Sequence, residues 1–486
     1  MTLLTKSKYL VGVQCLKYLW IVFHEPDKIP EPDASTENKF RIGNEVGEMA
    51  KSLYPGGIDI SAEDFKKNLE ETQEQLNKRV PLFEAGFMVD DLFSRVDILN
   101  PVGEDEWDII EVKSGTSVKE INLHDVSFQK YCLEKAGLKI RKCFLMHINK
   151  EFRKEGDIEP KQFLVADDIT DEVSKTIVDI KERIETMMDI INSSVDPDTI
   201  IGKHCADPYG CPLEAECWGF LPEQHVFHLY RGGKASLELF ENEVYAIEDI
   251  PDHYKLNAKQ SIQKECAQSG KPHIDKEGIK KFLDKLQYPL YYLDFETHNP
   301  ALPIYDGMKP YQRIPFQFSL HVVQQDGRTE HHSFLAEGQE DPRLKFLEEL
   351  KRVLGEKGSI IVFNQAFEKG VLKEISEANP EYKDWVEQLF KRIVDLLLPF
   401  RDFHYYNPIQ QGSASIKKVL PALTGKDYEG LDINNGDDAS VSFVNITFFE
   451  TPEEEKKKVR EDLEKYCCLD TEGMIWIVEA LHRLIK

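Results

Sequence analysis

The sequence predicts an α/β protein with two sheet-containing domains, residues 1–220 and 289–486, joined by a helical connector at 221–288. Three observations predict this. Between residues 81 and 113, three strand-like runs are separated by turn residues. From 289 onward, apolar strands alternate with amphipathic helices, starting with Pro289-Leu-Tyr-Tyr-Leu-Asp294-Phe-Glu296-Thr297. Between these regions, Cys205, Cys211 and Cys217 recur every six residues, a spacing that fits neither a strand nor one helical face. Pro208, Gly210 and Pro212 break any helix there and let the chain wrap a small object. A chain of 486 residues also exceeds what one core supports.

In chain order, the stretch 9–23 is apolar but interrupted by Gln14 and Lys17 and has no cleavage site, so it does not read as a secretory signal. It carries Cys15, a fourth thiol for the late triplet. Four such thiolates can ligate a [4Fe–4S] cluster or a structural zinc ion; free buried cysteines are the plain alternative. Val46, Met49, Ala50 and Leu53 share one face of a helix over 43–54 that Pro55-Gly-Gly ends. A polar helix follows to about residue 78. Strands are then predicted at 81–89, 92–99 and 107–113, with turns at Asp90-Asp91 and Asn100-Pro-Val-Gly.

Asp97 and Glu111 lie on neighbouring strands, where two carboxylates can share a Mg²⁺ or Mn²⁺ ion. Lys113 leaves the same strand face as Glu111 and can orient or help deprotonate an attacking water. A helix closed by Gly137 offers Gln129 and Tyr131 nearby. Taken alone, D-x13-E-x-K also fits surface ion pairs.

In the connector, Gly232-Gly233-Lys234 between apolar runs has the pattern of a helix–hairpin–helix, whose turn N–H groups can hold a phosphate; a helical linker is the plain reading. Helices are expected at 255–268 and 276–285, with a break at Gly270-Lys-Pro. In the last domain, Asp294 and Glu296 share one strand face. Strands follow at 316–324 and 329–334, and a helix at 341–354. The run Ser359-Ile-Ile-Val-Phe-Asn364 is a strand entering a helix that carries Glu368. Asp395 ends another strand, a serine caps a helix after Gly412, and the last helix, from about Pro452, stacks Tyr466 over Asp470 at i, i+4.

Composition narrows the function classes. With 41% hydrophobic and 30% charged residues the chain reads as an ordinary soluble globular protein, and no apolar run is long enough to span a bilayer. Nine cysteines, an odd number that includes the adjacent Cys467-Cys468, point to a reducing cytoplasm rather than a disulfide framework. A net charge of −26 argues against strong non-specific binding to phosphates but suits sites that gather carboxylates around cations.

The order Asp97, Glu111-Val-Lys113, the Gln129/Tyr131 helix, with Cys15 early and the cysteine triplet late, resembles the iron–sulfur members of the RecB-type PD-(D/E)XK nucleases, including CRISPR-associated nucleases and AddB-type helicase–nuclease subunits. The resemblance covers about residues 1–220 and implies that Cys15, Cys205, Cys211 and Cys217 bind [4Fe–4S]. Many relatives carry a metal-binding histidine on the first helix; this chain offers Glu48 there, and Glu84 is a further acidic candidate for metal. Asp294-Phe-Glu296, Asn364-x3-Glu368 and Tyr466-x3-Asp470 resemble the DEDDy branch of the DnaQ-like, RNase H-fold 3′–5′ exonucleases. That resemblance implies two metal ions held by Asp294, Glu296 and Asp470, with Tyr466 positioning the water. Glu368 stands where aspartate is usual, so either the second metal shifts or Asp395 assists. Both halves in this order resemble an uncharacterised bacterial family of predicted RecB-type nucleases fused to a DEDDy exonuclease-like domain.

The function expected from this reading is a cytoplasmic, metal-dependent nuclease with two active sites acting on DNA, single-stranded ends first, with 3′–5′ exonuclease activity in the C-terminal domain. The alternatives are a catalytically weak nucleic-acid-binding module serving a protein partner in a repair or defence complex, and an RNA or oligonucleotide processing enzyme.

Overall fold

The computed structural model describes residues 3–61 and 64–486 of a mixed α/β chain. By internal packing it divides into two units, Met1–Phe220 with Ala301–Tyr311, and Leu221–Pro300 with Gln312–Lys486. Residues 301–311, inside the second predicted domain, thus belong to the first unit. There Ala301, Leu302 and Tyr311 join an apolar cluster with Phe163 and Ile148, and the Tyr311 hydroxyl donates to Ser114 O at 2.5 Å. The predicted connector, 221–288, packs within the second unit.

The strands of the first unit are β1 Leu4–Thr5, β2 Ile58–Asp59, β3 Leu82–Val89, β4 Leu92–Val102, β5 Glu106–Lys113, β6 Lys139–Ile148 and β7 Leu164–Asp168. They form one sheet in the order β2-β3-β4-β5-β6-β7, with β1 beside the start of β4. The β3–β4–β5 meander is antiparallel and β6 runs parallel to β5. Residues Trp107–Glu111 of β5 are all buried, as expected for a central strand covered on both faces. Leu99, Ile109 and Leu145 meet the helices Glu120–Lys135 and Ile180–Asn192 on one face; Ile98, Ile110 and Met146 meet the helix Ala34–Ser52 on the other.

That helix starts earlier than the apolar pattern at 43–54 indicates. Its first half is mostly exposed and lacks a core stripe, and Asp33 caps it by accepting from Thr36 N at 2.8 Å. The turn expected at Asn100 lies further on, because Pro101 still pairs with Trp107. The Arg79 guanidinium clamps that hairpin, donating to Val102 O and Glu106 O and lying 4.3 Å from the Trp107 ring centre.

In the second unit, β8 His273–Ile274 pairs with β14 Tyr405–Tyr406. The main sheet contains β9 Leu290–His298, β10 Ile314–Val323, β11 Thr329–Leu335, β12 Ser359–Val362 and β13 Ile393–Asp395, in the order β11-β10-β9-β12-β13. The first three form an antiparallel meander, whereas β12 and β13 run parallel to β9. Along β9, Tyr291, Leu293 and Phe295 pack with Phe346 and Leu350 of the helix Arg343–Val353. Leu290 and Tyr292 face oppositely, toward Met474, Ile477 and Leu481 of the 33-residue helix Glu453–Ile485. Ser415 occupies the N-cap of the helix Ile416–Thr424, but no side-chain hydrogen bond caps it there. No described helix is long and apolar enough to cross a membrane.

Candidate functional site

In the first unit, Asp97 lies where the sheet loses its regularity. The β3–β4 pairing skips from Phe83↔Ile98 to Ala85↔Val96, and the β4–β5 pairing begins only at Ile98↔Ile110. Val96 and Leu99 belong to one apolar cluster while Ile98 belongs to the other, so the in–out alternation of β4 changes phase at Asp97. Opposite it, Glu84 adopts a left-handed φ of 57°, a strained conformation for a residue with a Cβ. The opening is a cleft of about 580 Å³ lined by Lys6, Glu48, Glu84, Asp97, Glu111 and Lys113, among others.

Within it, Glu111 is buried and held from three sides. Lys113 Nζ lies 2.6 Å from its Oε1, Lys6 Nζ 3.0 and 3.1 Å from its two oxygens, and Gln129 Nε2 donates to Oε2 at 2.6 Å. Asp125, one helical turn before Gln129, accepts from Gln129 at 2.8 Å and from Lys113 at 2.8 Å. Asp97 Oδ2 accepts from Val112 N at 2.8 Å, leaving Oδ1 3.7 Å from Lys6. Burial by itself would discharge Lys113, but Glu111, Asp125 and Asp97 hold its pKa well above the ordinary value; Lys6 is raised by the same three carboxylates. Burial and the Asp97 charge push Glu84 up, although Arg95 pairs with it at 2.9 Å. Glu48 lines the cleft from the helix above and pairs with Lys51 at 2.8 Å.

Tyr131 is not part of this constellation. Two residues after Gln129 it points roughly 200° around the helix, where its ring packs on the core beside Lys135. Lys6 and Asp125 belong to the constellation but were missed from sequence. Asp125 had a legible signal, its i, i+4 spacing to Gln129; Lys6 had none.

Cys15, Cys205, Cys211 and Cys217 line one pocket, closed by Tyr18 and Leu213. Cys15 N-caps the helix Leu16–His24, its Sγ accepting from Tyr18 N at 3.4 Å. Gln14 ties the late cysteine loop to this point by donating to His204 O at 2.9 Å and Tyr209 O at 2.7 Å. Burial raises the pKa of Cys15, Cys211 and Cys217, and neighbouring cysteines add to it, so a bound cation would be what holds them as thiolates. Four thiolates lining one pocket can hold either a single zinc ion or a [4Fe–4S] cluster.

In the second unit, the C-terminal ends of parallel β9, β12 and β13 open toward a common crevice, the usual ligand position in α/β sheets. Asp294 and Glu296 leave one face of β9. Tyr466, Cys467 and Asp470 come from the helix Glu453–Ile485, and Glu368 from the first turn of the helix Gln365–Ala378. Asp294, Glu296 and Cys467 place ligating atoms within 4.8 Å of one another, and the Cys467 thiol donates toward Asp294 Oδ2 at 3.7 Å. Asp395 Oδ1 accepts from Asn364 N at 3.0 Å and Leu397 N at 3.1 Å. It thereby fixes the turn, with Asn364 at φ 82°, that presents Glu368.

The electrostatics are those of uncompensated acids. Burial, then the Asp470 charge, pushes Asp294 well up; burial, then Asp294 and Asp470, does the same to Glu296. Glu368 is raised by burial and by Asp294 and Asp395, and its Oε2 is buried with no hydrogen-bond partner. Asp470 is pushed up to about 6 by burial, although the Tyr428 hydroxyl donates to it at 2.5 Å. The Lys417 ammonium faces Glu296 and Asp470 and lies 5.5 Å from the centre of the Tyr466 ring. Burial and the surrounding carboxylates keep the Tyr466 phenol neutral. Lys417 and Tyr428 were missed from sequence because nothing in their local spacing marks them.

A sequence family described as a domain of unknown function (DUF2779) matches residues 291–415, which span β9 to the start of the helix at Ile416. The chain is 28% identical over 228 residues to the uncharacterized protein MG366 of Mycoplasma genitalium, covering 43% of this chain and 34% of that one. It is 28% identical over 266 residues to the MG366 homolog of Mycoplasma pneumoniae, covering 46% and 39%. To the uncharacterized protein UU173 of Ureaplasma parvum it is 27% identical over 228 residues, covering 41% and 32%. The chain thus spans about a third of the length of these curated relatives.

Proposed function

We propose that the chain is a metal-dependent nuclease with two carboxylate centres, the second acting as a 3′–5′ exonuclease of the DnaQ-like kind. The observation that carries this reading is the convergence of Asp294, Glu296, Glu368 and Asp470 in one buried crevice, with Glu368 Oε2 lacking any partner. Buried carboxylates gathered in this way need cations. These four residues would hold a pair of divalent ions, which polarise a phosphodiester and supply a nucleophilic water near neutral pH. The rest is done by the chain itself. Tyr466, neutral and beside Asp470, orients the water as a hydrogen-bond donor, Lys417 faces the phosphate charge, and Tyr428 fixes the Asp470 carboxylate.

In the first unit, Asp97 and Glu111 would hold a cation, with Glu84 and Glu48 on the cleft wall. Lys113 orients the water, and Asp125 and Gln129 hold Lys113 and Glu111 in place. A sheet whose central hairpin presents D…E-x-K at an irregular opening supports the PD-(D/E)XK-type reading, and a meander β9–β10–β11 extended by parallel β12 and β13 supports the RNase H-like one. The four cysteines, which line one pocket, would hold a [4Fe–4S] cluster, as their resemblance to the iron–sulfur nucleases implies.

The test is end-labelled single-stranded DNA and RNA incubated with Mg²⁺ or Mn²⁺. Stepwise shortening from the 3′ end with mononucleotide release, abolished by Asp294→Ala, is the expected outcome. Absence of 3′-dependent release with either metal would overturn the exonuclease reading. The binding-module alternative would then stand, and one observation favours it for the first centre: Lys6 and Lys113 already neutralise Glu111 and Asp125.

A further inference from the structure

The second unit holds another set of metal-ligating side chains, chemically unlike the carboxylates. His321 of β10 and His331 of β11 are direct cross-strand partners, with ring centres 4.4 Å apart. Cys468 reaches the same point from the helix Glu453–Ile485. One ligating atom from each of the three lies within 4.8 Å of the other two.

The hydrogen bonds around them decide which nitrogens are free. The Thr471 hydroxyl donates to Cys468 O at 3.0 Å, so it accepts from His321 Nδ1 at 2.8 Å and from the Ser319 hydroxyl at 2.7 Å. Having donated its proton, Ser319 Oγ accepts from His331 Nε2 at 2.9 Å. Both rings are therefore held in fixed tautomers, with His321 Nε2 and His331 Nδ1 carrying the free lone pairs. Burial pushes His321 down to about 4 and lowers His331 as well, so both rings stay unprotonated at neutral pH. Burial, then the Glu472 and Glu464 charges, raises the Cys468 thiol, so a cation bound there would be what holds it as a thiolate.

We propose that His321, His331 and Cys468 bind a zinc ion, with a fourth position open to water on the exposed His331 side. Two imidazoles and a thiolate select a borderline-soft cation, whereas the nearby crevice, dominated by carboxylates with Cys467 as its one thiol, suits Mg²⁺ or Mn²⁺, so one unit would sort two metals by ligand hardness. Zinc here would fasten the β10–β11 edge to the helix that carries Tyr466 and Asp470. The inference does not rest on the nuclease reading.

The test uses the full chain, stripped with chelator and titrated with zinc alone and, separately, cobalt alone. Wild type and Asp294→Asn should retain one more zinc equivalent than His331→Gln or Cys468→Ser. In Cys15→Ser, whose four-cysteine pocket is broken, cobalt should still give a thiolate charge-transfer band, and Cys15→Ser/Cys468→Ser should lose it. Zinc should raise the melting temperature of wild type but not of His331→Gln. In that variant, affinity should fall by more than the roughly 10–100-fold that loss of an outer-shell partner costs. His331 is exposed on an edge strand, so its variant folds and decides the matter even where Cys468→Ser does not. Equal zinc content and equal thermal response in wild type and His331→Gln would overturn the proposal.

Discussion

Removing one acid from the carboxylate crevice should stabilise the metal-free protein, the reverse of what loss of a buried hydrogen-bonded group normally does. Asp470→Asn is the sharpest case. Its carboxyl ionises near 6 rather than 3.8, so at neutral pH its charge costs the folded state about 3 kcal/mol, at about 1.4 kcal/mol per tenfold. Asparagine removes that cost and still accepts from Tyr428; the stronger bond to the charged form is already included in the raised value. The gain is up to about 3 kcal/mol, or roughly 6–12 °C in a unit of this size.

The pH dependence carries the sign. Between about 4 and 6 the folded carboxyl holds a proton that the unfolded one has lost, so wild-type stability falls as pH rises through that window. Calorimetry in chelator at pH 7 and pH 4, then with Mn²⁺, measures all of it. The variant should melt above wild type at pH 7 without metal, lose that advantage at pH 4, and respond less to Mn²⁺. A variant that melts below wild type by the same amount at both pH values would refute the electrostatic account.

Lys6→Met should destabilise the first unit by about 3 kcal/mol in chemical denaturation, because Glu111 and Asp125 lose a buried counter-charge; an unchanged midpoint would remove Lys6 from the site. Cys217→Ser should give protein with little iron and without the broad visible absorption of thiolate-to-iron charge transfer; a colourless wild type that loses one zinc equivalent in Cys217→Ser would refute the cluster. Glu368→Asp tests the reach of that carboxylate: faster 3′-end shortening would mean the extra methylene is a handicap, slower shortening that the crevice is built for glutamate.

What could be read from sequence was whatever one element carries by itself. Glu111 and Lys113, Asp294 and Glu296, and Tyr466 and Asp470 are pairs fixed by the strand or helix period, and each pair shares a face in the structure. Lys6, Lys417 and Tyr428 could not be read, since tertiary packing brings them from distant, unpatterned segments. Tyr131 lies off the site although it is only two residues from Gln129, because two residues on a helix nearly oppose each other and closeness along the chain is not closeness in space. The start of the helix at Ala34 was missed for another reason: a solvated half-helix has no apolar stripe, and only Asp33 as its cap announced it.

The nine-residue helix Lys6–Gln14 joins two features so far treated separately. Lys6 at its head rests on Glu111, and Gln14 at its foot holds the cysteine loop, with Cys15 next in the chain. Nine residues make a rod only about 14 Å long. A shift at the thiols would therefore reach Lys6 through one helix, with no loop between to absorb it. Damage to the cysteine end and damage to Lys6 should consequently be non-additive in a double-mutant cycle, because the two sites share one helix.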